Sequence, residues 1–196
     1  MATRTMQRPK ALPFTPDEAA QQLVASNSVA FVIGFILDQQ IRIQHAFHSP
    51  LELQRRLGHL DPVKIAGMDT DALVEVFAQP PSLHRFPRNM AVRVQDCMRF
   101  LVDTYDGDPD RVWLEAASTA DLRKRIAELP GFGEFKSKTV TGVLSRHFGL
   151  NFEGWEEGLP PYGALAYIDS LDELKAYQQR KTAFKKEMKA KAAASN

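Results

Sequence analysis

The chain has 196 residues, 44% hydrophobic and 25% charged, enough for one sizeable core or two small lobes sharing one. Lys and Arg number 25 against 24 Asp and Glu, a formal charge of +1, so composition excludes a globally basic nucleic-acid coat and any basic surface must be local. The lone Cys97 excludes an intramolecular disulfide and any four-cysteine zinc or iron–sulfur site, while the longest apolar run, Val29 to Leu37, is less than half of what spans a bilayer.

The chain reads as helix after helix. "TPDE" at 15–18 and "SPLE" at 49–52 each place Ser or Thr at an N-cap, Pro at the first helical position and Glu at the third, the capping-box arrangement. Further starts fall at Asp61-Pro62, Asp69, Asp108-Pro109 and Ser118. Apolar residues recur at three and four, as in Leu73, Val76, Phe77 or Leu122, Ile126, Leu129, and no stretch alternates as strands do. An all-α fold follows. The segment Val29 to Phe47, apolar nearly all round at first, reads as a central helix. The start, "MATRTMQRPKALPF", carries no apolar core segment and reads as an N-terminal extension, 1–14, of a soluble, cytoplasmic chain.

In "ELPGFGEFKSKTVTGVL", 128–144, a helix ending near Leu129 is stopped by Pro130. Gly131 and Gly133 then allow a very short connection to a second helix, with Phe132 as the apolar plug between them. Unpaired amides of the turn and the first helical turn point outward with partial positive charge, beside Lys136 and Lys138, a ready site for a phosphate. An ordinary helix hairpin uses the same residues.

"LPGFG" followed by a basic helix resembles the helix-hairpin-helix of the base-excision DNA glycosylases, the HhH-GPD superfamily that includes endonuclease III and the mismatch adenine glycosylase. "FVIGFILDQQIRIQHAF", 31–47, resembles that superfamily's helix with a paired glutamine end, and "GDPDRVWLEAASTADLRKRIAELPGFG" its lead-in to the hairpin. "LDQQ", "HRFPRNMAVRVQ" and "LPGFGEFKSK" together resemble a small bacterial branch of the superfamily, over roughly residues 15–150. The resemblance implies two helical lobes with a cleft between them, a hairpin at 129–134 gripping the backbone 3′ of a lesion, and a base turned out of duplex DNA. It implies a DNA repair enzyme, a monomer associated with the nucleoid, with no cofactor beyond a monovalent cation at the hairpin. The rest of the chain reads as an acidic loop at 151–173 closing the cleft and a basic C-terminal helix and tail at 174–196; the first holds six acids and no Lys or Arg, the second seven bases and one acid.

The chain departs from the superfamily at the chemistry. Where strand-cleaving members carry lysine, two residues after the second hairpin glycine, stands Phe135; Lys136 follows, rotated by about a hundred degrees around the helix. Strand scission through a Schiff base is therefore not expected. The catalytic aspartate that follows the second hairpin helix is also missing, since no aspartate stands between that helix and Asp169. Two other carboxylates are candidates for a general acid or an oxocarbenium-stabilising anion. Glu156 has the right distance from the hairpin helix but sits in a glycine-flanked acidic stretch typical of solvated loops. Asp38 ends an apolar run, where an acid is disfavoured unless paired or functional, and lies one turn beyond the position of the adenine glycosylase's glutamate; alternatively the helix simply emerges into solvent there.

Gln39 and Gln40 match the superfamily's pair, Gln40 being the residue expected to probe the gap left by a flipped nucleotide. Arg85 and Arg88, in "LHRFPRN", stand where the superfamily wedges a loop into the duplex, as phosphate contacts or as parts of a structural turn at Phe86-Pro87. His45, His48, His59 and His84 show no metal-ligand spacing. Trp113, in a capped helix, reads as core, and Trp155 as a base-stacking or packing residue. Catalysis or a lesion-binding scaffold that has lost it both fit this sequence.

Overall fold

The computed structural model describes residues 5–194. Ten α-helices and one 3₁₀ turn make up its regular structure, with no strand among the described residues: α1 (Glu18–Ser26), α2 (Ser28–Leu37), α3 (Ile43–Leu57), α4 (Pro62–Gly67), α5 (Thr70–Ala78), α6 (Pro87–Tyr105), α7 (Asp110–Leu114), α8 (Thr119–Glu128), α9 (Glu134–His147), the turn Leu165–Tyr167, and α10 (Leu171–Ala194). The fold is all-α. Among these residues no single helix is long and apolar enough to cross a membrane.

Several helices start where capping chemistry places them. Asp61 accepts from Val63 N and Lys64 N with Pro62 at the first position of α4, Asp69 accepts from Ala72 N, and Ser118 Oγ accepts from Asp121 N. Three starts differ from the sequence expectation. The cap of α1 is Asp17, whose Oδ1 accepts from Ala20 N at 2.9 Å, while Thr15 is buried. Asp108 instead accepts from Asp110 N, so α7 begins two residues after it. Ser49-Pro50 lies inside α3: Ser49 Oγ donates to His45 O at 2.8 Å and Leu83 O at 2.9 Å, spending the hydroxyl on packing α3 against the 83–86 loop.

Every residue of α2 is buried. Full burial of an Ile, Leu or Phe stabilises by about 1.5–3 kcal/mol, so Phe31, Ile33, Phe35, Ile36 and Leu37 make this helix the axis of the core. Edge-on aromatic contacts tie it in, Phe31–Phe35 at 4.9 Å, Phe35–Phe47 at 5.1 Å and Phe14–Phe47 at 4.9 Å. Trp113 is fully buried 6.0 Å from Phe31.

The central helix does not run on to Phe47. The chain turns through Asp38–Arg42, with Gln40 in the left-handed region at φ 55°, and α3 returns against α2. Gly34 permits that return, since a Cβ there would lie 2.7 Å from a ring carbon of Phe47. Around this axis α4, α5 and α6 pack together on one side, and α8, α9 and the 3₁₀ turn on the other, over one continuous core.

The first residues are not a free extension. Leu12 and Phe14 are buried, Gln7 N donates to Phe148 O at 2.9 Å, and Arg8 reaches Ser28 at 2.9 Å and Asp110 at 2.7 Å. Residues 1–4 of the expected extension and 195–196 of the expected tail lie outside the described residues.

Candidate functional site

The C-terminal end of α2 is where the candidate residues converge. Helix ends leave carbonyls without helical partners, and here those groups gather side chains from three other elements. Lys136, from the first turn of α9, donates its Nζ to Ile36 O at 3.2 Å and to Gly131 O at 3.3 Å. A cation at a helix C-terminus also meets the favourable end of the dipole. Gln39 Nε2 donates to Ile36 O at 2.6 Å, its Oε1 accepts from Arg93 Nη1 of α6 at 2.7 Å, and its backbone O lies 2.9 Å from His84 Nε2. The hairpin, α6 and the 83–86 loop are thereby locked to one point.

Beside it opens a cleft of about 1330 Å³. One wall is the turn after α2 and the start of α3, with Asp38, Gln40 and Arg42; the other is α10, with Gln178, Lys181, Thr182 and Lys185; Phe135 and Tyr162 also line it. Asp38 keeps part of its surface open to the cleft, yet its carboxyl group is deep among protein atoms. That desolvation pushes its pKa above the ordinary 3.8, and the charges of Lys181, Lys136 and Lys185 oppose the rise without cancelling it. Lys136 is shifted the other way: burial pulls its pKa down to about 8, opposed by the charge of Asp38 and helped by that of Arg93. Asp38 lines the cleft while Lys136 lies behind it, turned to Ile36 O and Gly131 O, and the two are coupled through their charges.

The hairpin joins α8 to α9 through residues 129–133. Gly131 has φ 92° and sits against Arg93 and Ile36, whereas Gly133 is extended at φ −138° with open space where a Cβ would go. Phe132 is half-buried against the core, the plug the sequence led one to expect. No side chain caps α9 at Gly133. Lys138 ion-pairs with Glu134 at 2.7 Å and stays at the surface. Lys136, expected outside beside the amides, instead turns inward toward α2.

The other candidates fall as follows. Gln40 is exposed on the cleft lining, while Gln39 is consumed by its hydrogen bonds. Arg85 is exposed and stacks on Phe86 at 4.6 Å, and Arg88 pairs with Asp71 at 2.9 Å. Arg85 lies on the loop that His84 ties to Gln39, and Arg88 in the first turn of α6 that follows it.

Glu156, one of the two candidate carboxylates, is exposed and does not line the cleft that Asp38 lines. Its segment is docked elsewhere: Arg123 Nη2 donates to Trp155 O and Glu157 O at 2.9 Å each, and Trp155 lies against Gly142 of α9. The acidic loop therefore does not close the cleft with its acids; only Tyr162 of 151–173 lines it. Asp169 is held by Arg146 at 2.6 Å, which keeps its pKa below the ordinary range. Sequence reasoning missed the inward Lys136, Arg93 and the α10 wall, whose one legible signal was the spacing of Lys181 and Lys185, one turn apart.

Comparison with known families, with curated proteins and with solved structures finds no match.

Proposed function

We propose that the protein is a DNA base-excision repair enzyme, a monofunctional N-glycosylase that turns a damaged or mispaired base out of the duplex and removes it without cutting the strand. The observation that carries the reading is the Asp38 carboxyl, desolvated on the lining of an open cleft that Gln40, Lys181 and Lys185 also line. In its protonated form Asp38 donates to the departing base as the bond between C1′ and the base nitrogen breaks. The electron pair leaves with the base, and water adds to C1′ and gives its proton to the Asp38 carboxylate, leaving an abasic site and the acid restored. General acid catalysis of this kind contributes a factor of about 10²–10⁴.

Absence of strand scission follows from Lys136. Its amine is committed to Ile36 O and Gly131 O, and the neighbouring lining residue is Phe135. The hairpin amides and Lys138 are assigned to the phosphate backbone. The second reading, a lesion-binding scaffold without chemistry, is favoured by one observation: neither Glu156 nor Asp169, the carboxylates after α9, reaches the cleft.

Duplexes carrying uracil, alkylated purines, hypoxanthine and oxidised bases, incubated with the protein and then treated with hot alkali, separate the two. Alkali-dependent breaks at one lesion class support the glycosylase; tight lesion binding with no breaks on any duplex supports the scaffold; neither binding nor breaks removes DNA repair altogether.

A further inference from the structure

The C-terminal helix is more than a tail. Gln178, Lys181, Thr182 and Lys185 fall at i, i+3, i+4 and i+7, one face of α10, and that face is the cleft's second wall. The helix is fixed there. Leu174 and Tyr177 are buried, Tyr162 packs at 5.9 Å on Tyr177 and 5.3 Å on Phe184, and Arg180 Nε donates to Tyr162 O at 3.2 Å. Gln178 and Gln44 exchange a reciprocal pair of amide hydrogen bonds across the cleft, at 2.9 and 2.8 Å.

Charge on this wall acts on Asp38 across the cleft without closing into ion pairs. Lys175 pairs with Asp172 and Lys191 with Glu187, but among the described residues neither Lys181 nor Lys185 forms an ion pair. Lys181 lines the cleft with its Nζ 5.5 Å from the ring centroid of Tyr177, one turn back on the same helix. Arg42 lines the facing wall. Beyond Lys185 every described residue to Ala193 is exposed, so the helix carries Lys186, Lys189 and Lys191 outward from the cleft's edge. Two cations one turn apart, with a third across an open groove, complement successive phosphates of a polyanion.

We propose that Lys181 and Lys185 are phosphate ligands that hold the backbone of the nucleic-acid strand whose nucleotide enters the cleft beside Asp38. The assignment rests on the DNA reading above and adds a second grip, on α10, to that of the hairpin. Each phosphate contact steepens the logarithmic salt dependence of duplex binding by about 0.9, so loss of two flattens it by about 1.8 and weakens binding about 60-fold at 0.1 M salt.

The test is fluorescence anisotropy of a mismatched duplex across a salt series, comparing wild type, K181Q/K185Q, which removes both charges and keeps polar side chains, and K181R/K185R, with thermal melting to establish that each is folded. The expected result is the flattened slope and weaker binding for the glutamine variant and near-wild-type values for the arginine variant. If wild type binds and the glutamine variant keeps its affinity and slope, the α10 assignment falls while the DNA reading stands. If wild type binds no duplex at all, the DNA reading falls and takes this assignment with it. Should the glutamine variant fail to melt cooperatively, K185Q alone decides, with half the change in slope expected and an unchanged slope overturning the proposal.

Discussion

The two hairpin glycines should respond oppositely to alanine. At Gly131, φ is 92°, a region where a side chain costs about 1–3 kcal/mol. An added Cβ would also meet Arg93 Cγ and Cδ at 3.0 Å and Ile36 Cγ1 at 3.4 Å. Arg93 cannot yield freely because its Nη1 is bonded to Gln39 Oε1. Together these put Gly131→Ala at about 3 kcal/mol of destabilisation, which for a chain of this size lowers Tm by about 6–12 °C. At Gly133 the backbone is extended and a Cβ meets nothing within 4 Å, so Gly133→Ala should be neutral or stabilise by up to about 1 kcal/mol through the unfolded chain. Its methyl would nevertheless stand beside the uncapped start of α9, where a phosphate has to approach. Calorimetry and duplex binding on the two variants separate fold from contact: Gly131→Ala loses stability, Gly133→Ala keeps stability and loses affinity. Equal melting of both variants, or wild-type binding by Gly133→Ala, would refute the reasoning.

Replacing Lys136 with methionine should cost about 1–3 kcal/mol by leaving Gly131 O without its side-chain donor and Ile36 O with Gln39 Nε2 alone, as measured by denaturant unfolding. Lys136 titrates near 8 in the folded protein and near 10.5 when unfolded, so the unfolded chain binds the extra proton between those values and stability should rise with pH across that window. Asp38→Asn removes the charge that holds the Lys136 pKa up, so the lysine titration, followed by NMR of the methylated amine, should move below about 8. The carboxyl of Asp38 should titrate still higher in K181Q/K185Q, because two of the three cations opposing its desolvation are gone; the acid limb of its carbon-13 titration reports the shift. Borohydride should trap no adduct between the protein and lesion-bearing DNA, and a trapped adduct that vanishes in Lys136→Met would overturn the assignment of the amine to Ile36 and Gly131.

Fold class was legible in the sequence because helix periodicity and caps are local. Asp61, Asp69 and Ser118 act within three residues of themselves, and the Pro-Gly-Phe-Gly break needs nothing distant to interpret it. The turn after α2 was not legible: no glycine or proline marks Asp38–Arg42, and the break is imposed by Phe47 returning onto Gly34. Ser49-Pro50 misled for the same reason in reverse, since a local start signal lost to the tertiary bond with Leu83. In the site, Asp38 could be singled out as an acid at the end of an apolar run. Lys136 could not be aimed, because its inward turn depends on carbonyls of α2 a hundred residues away. The 83–86 loop is singled out in the sequence only by resemblance, as a wedge for the duplex, and nothing local ties it to the glutamine pair: that tie is His84, in which the sequence shows only the lack of metal-ligand spacing.

The central claim, that Asp38 performs chemistry in this cleft, is tested most directly by single-turnover excision on whichever lesion duplex the wild type processes, comparing wild type with Asp38→Asn at matched occupancy. The account predicts unchanged duplex affinity and a rate lower by about 10²–10⁴, with Glu156→Gln excising as wild type does. Excision by Asp38→Asn at the wild-type rate would contradict it.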